Sequence, residues 1–505
     1  MTTPRKKTTE LNRRRFLMMA GVGSSAALLA ACGAQATPAP APTAAPKAEA
    51  PKTEPAKVEP TAVPEAPAAE PTTRKTIGEN EADVINFWTP GGSAPYCSSF
   101  TTIADAYMKE NPGVKVGAAQ CGAGDQNFME VFLARVAAGN PPDVSIIWDS
   151  PASLGVRGAL EPLDDLMKSS KNSMSENWPA GVLSSCQFNG KTYGLPISAS
   201  AYAMFFCPKI FEAKGIKMTR DAFPKTWKEL RDLSKEFTVW DGDTLKSVGF
   251  LPTQLDMVQM HVFSALNGGM FYDVAAQKHT IDSEQNVEMM SFLHDWFSDE
   301  YKGNYTAVTT SGPWGFYPGD SKPSNFTDGR MAMGSDGFWV AGDMYSGQTL
   351  KDEVKNWDVA QYPVGPSGSG TKSGYWPNWL VLPKGVKKAQ EAFQYMDYMV
   401  VHGMKTWFDA VPDMPANKKV DTAAFLPPVV AKERSPEFAK DLMTFFIGQL
   451  AVATPMWNSP VQAFANDQIT RMLEQVFTKK ATPKDALAEA QKATQTELEK
   501  VLKTA

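Results

Sequence analysis

The sequence predicts an α/β fold in which mainly parallel sheets are flanked by helices. After about residue 83, short runs rich in β-branched and aromatic residues alternate with longer helical runs. Glycine and proline separate the runs, and this order is typical of right-handed β-α-β units. About 430 residues follow the N-terminal segments, which is enough for two domains or one large one.

The first predicted elements follow the order strand, helix, strand, helix, strand. The strands are 84–88, 114–117 and 143–148, and the helices are 99–111 and 127–138. Pro112-Gly113 and Gly139 end the two helices, because proline cannot continue a helix and glycine favours its end. Asn189-Gly190 then predicts a tight hairpin turn.

The N-terminus has the features of an export signal. Arg13 and Arg14 precede a short apolar run that ends at Leu29-Ala30-Ala31-Cys32. The run is too short to span a bilayer, and the arginine pair resembles a twin-arginine signal. The final four residues resemble a lipobox, which implies that residues 1–31 are removed. Cys32 would then carry a lipid that holds the protein outside the bacterial cell membrane.

The segment after Cys32 predicts a spacer. Residues 32–75 are almost entirely Ala, Pro, Thr, Glu and Lys, and they contain no aromatic side chain. Such a composition cannot bury enough apolar surface to offset the entropy of ordering, and its prolines favour extended conformations. We expect a disordered linker between the lipid anchor and the folded body.

Composition narrows the class of protein. The chain is 43% hydrophobic and 21% charged with a net charge of −5, so no basic surface for nucleic acid is expected. Four cysteines follow the anchor, and cysteines of an exported protein can form disulfides in an oxidising compartment. We predict the disulfides Cys97–Cys121 and Cys186–Cys207, and the alternative is four buried free thiols.

Motifs for catalysis are missing from the sequence. The four histidines lack the i, i+4 spacing of a zinc helix, and no Cys-x-x-Cys pair or Gly-x-Ser-x-Gly elbow occurs in the body. We therefore expect no enzyme activity, no metal and no cofactor. A pair of carboxylates across a cleft, as in a glycosidase, is left open because sequence alone does not exclude it.

Tryptophan placement suggests a binding crevice. Several of the 13 tryptophans fall at strand ends or in loops. Ligands of open α/β sheets bind beyond the carboxyl ends of the strands, so Trp88 and Trp148 should face one crevice. Flat aromatic faces suit sugar rings, and Asp149 would accept hydrogen bonds from hydroxyl groups.

Eight segments extend the argument to a known family. They occur in the order 84–88, 107–116, 137–144, 158–164, 189–196, 224–230, 329–339 and 482–487. In these segments the chain resembles the extracellular solute-binding proteins of family 1, the maltose-binding type. These proteins are the receptor lipoproteins of ABC importers.

The resemblance implies a two-lobed periplasmic-binding-protein fold of type II. The N-terminal lobe would comprise residues 76–197 and 376–413, and the C-terminal lobe residues 198–375 and 414–505. Hinge crossings are expected after Pro196, near 374–379 and near 414–416. The lobes would close on the solute by hinge motion.

The resemblance also implies ligand-binding residues. Trp148 and Trp339 occupy the aromatic positions of matching motifs, and the other expected residues lie near strand ends or hinge crossings. The full expected set is Trp88, Trp148, Asp149, Tyr202, Trp339, Tyr375, Trp376 and Trp457.

The implied function is that of a monomeric receptor that binds a carbohydrate and delivers it to a membrane permease. One alternative is a polar non-sugar solute such as a glycerol phosphodiester or a peptide. A less favoured alternative is an exported hydrolase.

Overall fold

The computed structural model describes residues 83–503, apart from residues 93, 125, 256, 310–313, 317–323 and 346–349. The predicted signal peptide 1–31, the lipidation site Cys32 and the linker to residue 75 therefore lie outside the described residues. Within the described part, no helix combines the length and apolar character needed to cross a membrane.

The first part of the chain forms the predicted β-α-β units. Its elements are β1 (Phe87–Thr89), α1 (Ala94–Glu110), β2 (Gln120–Cys121), α2 (Phe128–Ala137) and β3 (Val144–Ile147). Both β2 and β3 pair with β1 in parallel. The second strand lies later than predicted, because Val116 N–H is directed to Met108 Sδ and only an isolated bridge joins Val116 to Ile85.

Short elements follow and lead to the predicted hairpin. They are α3 (Pro151–Val156), α4 (Asp164–Lys168), α5 (Ala180–Leu183), β4 (Gln187–Phe188) and β5 (Lys191–Thr192). Asn189 and Gly190 both have positive φ, at 48° and 74°, as a type I′ turn requires. The hairpin prediction is therefore confirmed.

The next elements extend from the long strand β6 to the helices before β11. They are β6 (Leu195–Phe206), α6 (Pro208–Glu212), α7 (Trp227–Lys235), β7 (Val239–Asp241), β8 (Thr244–Ser247), α8 (Met257–Leu266), β9 (Tyr272–Asp273), β10 (Lys278–His279), α9 (Glu284–Glu300) and α10 (Tyr305–Thr309). Helix α7 begins at a capping box between Thr226 and Glu229.

The last elements return the chain to the sheet and then cover it with helices. They are β11 (Met333–Gly337), α11 (Val340–Asp343), β12 (Asp358–Ala360), β13 (Tyr375–Val381), α12 (Ala389–Met399), α13 (Met404–Ala410), α14 (Pro428–Glu433), α15 (Pro436–Ala451), α16 (Gln462–Phe477) and α17 (Pro483–Leu502).

One sheet runs through the molecule because β6 and β13 are shared between its two parts. The strand order is β11-β6-β13-β3-β1-β2, and β12 also pairs with β6. Beyond the hinge, β11 and β12 are antiparallel to β6. Parallel pairing in this second part is confined, among the described residues, to isolated bridges such as Val248–Met331. The mainly parallel arrangement predicted for each lobe thus describes the first part better than the second.

Three segments lie side by side where the two parts meet. Strand β6 pairs with β13 over Leu195–Ala201, and Ala199 N–H donates to Met414 O on its other side at 2.9 Å. These positions correspond to the three expected hinge crossings. The exact lobe boundaries stay a prediction.

The cysteines divide into one disulfide and two free thiols. Cys97 and Cys121 are bonded, which confirms the first predicted pair. Cys186 and Cys207 are buried and free, so the second predicted pair is wrong. Cys186 precedes the start of β6 and Cys207 follows its end. Twelve extended residues span about 40 Å, whereas a disulfide requires Cα atoms within about 7 Å.

Candidate binding site

One face of β6 and β13, the two hinge strands, carries a row of polar and aromatic side chains. Ser198 pairs with Asn378 and Ser200 pairs with Trp376, so these four side chains share a face. Tyr202 continues the row, two residues beyond Ser200, and these five residues are called the hinge row below. All five residues are buried. The row therefore places hydrogen-bonding and aromatic side chains at the point where the two parts of the molecule join.

Asn378 links Trp148 to the hinge. Its Oδ1 accepts a hydrogen bond from Trp148 Nε1 at 2.8 Å, and its Nδ2 donates to Ser198 Oγ at 2.7 Å. Beside it, Ser200 Oγ donates to the carboxylate of Asp413 at 2.9 Å. The network therefore connects the end of β3, both hinge strands and the third crossing.

Trp457 is the centre of an aromatic cluster. Its ring lies edge-to-face against Trp376 and Trp379, with centroid distances of 5.5 and 6.2 Å. His261 on α8 approaches the same ring at 6.2 Å. Burial lowers the pKa of His261 to about 4, and the nearby His279 adds to this effect. The imidazole is consequently neutral at pH 7.

The backbone of Trp457 is strained. Its φ of 68° lies in the left-handed region, which a bulky residue rarely adopts. The surrounding loop is held across the hinge, because Ser150 Oγ donates to Trp457 O at 2.7 Å and Ser153 Oγ donates to Pro460 O at 3.0 Å. Strain of this kind, about 1–3 kcal/mol, persists at sites where geometry serves a function.

A second aromatic pair lies further along β6. Tyr202 and Trp339 meet edge-to-face at 5.4 Å. The Trp339 ring covers Gly337, at which an added Cβ would come within 2.1 Å of the ring. Because Gly337 pairs with Tyr202 in the sheet, the glycine creates the space that holds Trp339 against the hinge strand.

Asp149 follows Trp148 directly and is half-buried. Burial raises its pKa to about 6, and the positive charge of Arg157 partly offsets the effect. The pKa of Asp467 on α16 is also raised to about 6, by burial first and then by the charge of Asp149. Two carboxylates from distant parts of the chain thus influence each other near this cluster.

The structure brings most of the predicted site residues into this region. Trp148, Tyr202 and Trp376 contact or belong to the hinge row, and Trp339 and Trp457 pack on it.

Two predicted residues have other surroundings. Tyr375 points to the opposite face, where its hydroxyl donates to Gly181 O at 2.9 Å. Trp88 packs between Phe128 of α2 and the guanidinium of Arg135, which lies 4.9 Å from its ring. These contacts explain both side chains by core packing.

Sequence reasoning missed His261 and Asn378. Asn378 is an amide within a fully buried strand, and His261 is the imidazole of an otherwise mostly apolar buried helix. A polar side chain in such a context requires a partner, and this signal was available in the sequence. Within the described ranges, no group of three or more potential metal-ligating side chains occurs.

The hinge-linked α/β architecture is that of a two-lobed binding protein. A family model described as bacterial extracellular solute-binding protein matches residues 102–441, and the chain belongs to that family. The predicted fold class and family relationship are thereby confirmed.

Curated relatives are similar over much of their length. A putative binding protein of Brucella abortus is 24% identical over 341 residues, which cover 65% of this chain and 74% of the relative. An arabinooligosaccharide-binding protein of Halalkalibacterium halodurans is 21% identical over 307 residues, with 57% and 63% coverage.

Solved structures have the same fold. CpMnBP1 with mannotriose bound aligns with a TM-score of 0.65 at 22% identity, covering 81% of this chain and 99% of that one. An ABC transporter solute-binding protein of Thermotoga lettingae bound with α-D-tagatose gives 0.63 at 18% identity, with 83% and 100% coverage. At these identities the likeness shows the fold.

Proposed function

We propose that this protein is the extracytoplasmic receptor of an ABC importer and that it binds a carbohydrate at the hinge row. The observation that carries the proposal is Trp457, a strained aromatic residue held among other aromatic rings where the lobes meet. Relatives that bind mannotriose, tagatose and arabinooligosaccharides support the choice of a sugar.

The chemistry of the region suits a sugar. Aromatic faces pack against the apolar C–H faces of a pyranose or furanose ring, while neutral polar groups bind the hydroxyls. Trp148 and Trp376 supply rings beside the amide of Asn378, and Asp149 supplies a carboxylate acceptor.

Binding would require the lobes to separate and close. Trp148, Trp339, Trp376 and Trp457 are each at most 6% exposed, so a sugar reaches them only when the cleft opens. We assign the lobes to residues 76–197 with 376–413 and to 198–375 with 414–505. Motion about the three crossings would then give the importer a difference between loaded and empty receptor.

The proposal includes the predicted lipid anchor at Cys32 and the flexible linker to residue 75. The Cys97–Cys121 disulfide supports an oxidising compartment outside the cytoplasm. We propose a monomer that delivers solute to its permease without catalysis.

Tryptophan fluorescence titration of the purified protein tests the proposal. Mannotriose, maltotetraose, arabinooligosaccharides and tagatose form the panel, and glycerophosphocholine represents phosphodiesters. We expect saturable binding of at least one sugar, with no sugar consumed. If only the phosphodiester binds, the solute is a phosphodiester and not a sugar. Hydrolysis of any panel sugar would overturn the receptor role.

A pair of variants then locates the site. Trp457→Ala should weaken sugar binding by about 10- to 100-fold, since the ring supplies a contact of about 1–3 kcal/mol. Trp240→Ala is the control, because Trp240 lies in the β7–β8 hairpin and packs against Lys302. If both variants bind the sugar with equal affinity, the aromatic cluster around Trp457 is not part of the binding site.

A further inference from the structure

Within the part of the chain that the structure describes, three polar atoms around Trp457 are buried without a hydrogen-bond partner. They are Trp376 Nε1, His261 Nε2 and Asn458 Oδ1. Buried polar groups are nearly always paired, and each exception calls for a specific explanation such as a bound solute or water. Three exceptions around one side chain favour a shared explanation.

The three residues surround the strained tryptophan from different elements. Trp376 on β13 and His261 on α8 contact the Trp457 ring, at 5.5 and 6.2 Å between centroids. Asn458 is the next residue in the chain, and its Nδ2 donates to Ser184 Oγ at 2.9 Å. That bond fixes the amide, so Oδ1 is the atom left without a partner.

The chemistry of the three atoms is complementary. An indole N–H can only donate, an amide oxygen can only accept, and a neutral imidazole nitrogen can do either. A hydroxyl group both donates and accepts, so two adjacent hydroxyls would satisfy all three atoms. The low pKa of His261, about 4, keeps the imidazole uncharged and so favours a neutral solute over a phosphate.

We propose that Trp376 Nε1, His261 Nε2 and Asn458 Oδ1 form a triad that recognises adjacent hydroxyl groups of the sugar beside Trp457. The inference rests on the proposed function and deepens it, because the triad would determine which hydroxyl pattern the receptor accepts. A site that hydrogen-bonds hydroxyls discriminates strongly against analogues that lack them, since its buried polar atoms then stay unpaired.

Trp376→Phe is the sharpest test, because it removes the N–H donor and keeps an aromatic ring. Isothermal titration with mannotriose and maltotetraose should show a 10- to 100-fold weaker Kd for whichever sugar binds the wild type. The melting temperature should change little, since the loss of an unpaired donor and the loss of buried ring volume act in opposite directions. Trp240→Phe is the matched control, because its Nε1 donates to Glu300 O at 3.1 Å; it should leave the Kd unchanged.

Asn458→Leu and His261→Phe extend the test to the other two atoms, with similar losses expected. Wild-type Kd values in all three variants would overturn the triad and leave the receptor role intact. If neither sugar binds the wild type, a crystal structure of the unliganded protein decides. Ordered water on the three atoms would support a polar solute pocket, whereas pairing of these atoms with protein groups would overturn the triad.

Discussion

Replacing His279 by glutamine should remove a large part of the acid sensitivity of this protein. The side chain of His279 is buried at 1% exposure. Its Nδ1 donates to Phe271 O at 3.1 Å, so Nε2 is the acceptor for Ser459 Oγ at 3.0 Å. Burial lowers the pKa of His279 to about 4 from an ordinary value of 6.5. Protonation would therefore disrupt the bond that holds the loop after Trp457.

The magnitude follows from proton linkage. Between pH 6.5 and 4 the unfolded chain binds a proton at His279 that the folded protein does not bind, so stability falls as pH falls. Since one pKa unit corresponds to about 1.4 kcal/mol, the loss between pH 7 and pH 4 is about 3 kcal/mol for this histidine. At pH 7 the variant should instead be less stable by about 1–3 kcal/mol, because two buried hydrogen bonds are broken.

Guanidinium unfolding of the wild type and His279→Gln at pH 7, 6, 5 and 4.5 measures this difference. The stability gap between the two proteins should narrow steadily as the pH falls and close near pH 4.5. His402→Gln removes an exposed imidazole and serves as the control. A gap that stays constant over this range would show that His279 does not carry the linkage.

Three further changes test other parts of the structure. Gly337→Ala should displace the Trp339 ring, lower stability by about 1–3 kcal/mol and weaken sugar binding, as unfolding and titration would show. Replacing Cys97 and Cys121 by serine should cost about 3 kcal/mol, because the bond closes a loop with a sequence separation of 24; added reductant should not change the variant further. Asp149→Asn should stabilise the protein by about 1–2 kcal/mol at pH 8 and by little at pH 4. Because burial raises the pKa from an ordinary value of 3.8 to about 6, the wild type loses stability as the pH rises from about 4 to 6, and the loss is complete above pH 6; melting curves at pH 4 and pH 8 would check this.

Local signals in the sequence predicted the first part of the fold well. Asn127 caps α2 and Gly139 follows its end, so the helix matches its prediction within a residue at each terminus. The Cys97–Cys121 pair was predictable because Cys97 comes shortly after β1 and Cys121 ends the neighbouring strand β2. The Cys186–Cys207 pair was wrong because the length of β6, which separates them, depends on pairing with strands over a hundred residues later.

The site was predictable in its residue types and less so in its geometry. A tryptophan at a strand end can face either side of the sheet, and the contacts of Trp88 with Phe128 of α2 and with Arg135 depend on how that helix packs. The strained φ of Trp457 has no signal in the local sequence. It arises from contacts to Ser150 and Ser153, about 300 residues earlier.

The polar network at the crossing gives a physical reason for coupling between solute and hinge. Asp413 is fully buried, and its carboxylate accepts hydrogen bonds from Ser200 and Asn378. Burying a carboxylate costs desolvation energy that an apolar side chain at the same position would not. Hydrogen bonds are directional, so rotation about the crossing changes which of them can form. Because Trp148 is attached to the same network through Asn378, a solute that moves the Trp148 ring also acts on the hinge. We therefore expect Asn378→Leu to weaken sugar binding. Small-angle X-ray scattering should also show a different decrease in radius of gyration on binding than in the wild type. If the decrease is the same in both proteins, the network does not contribute to lobe closure.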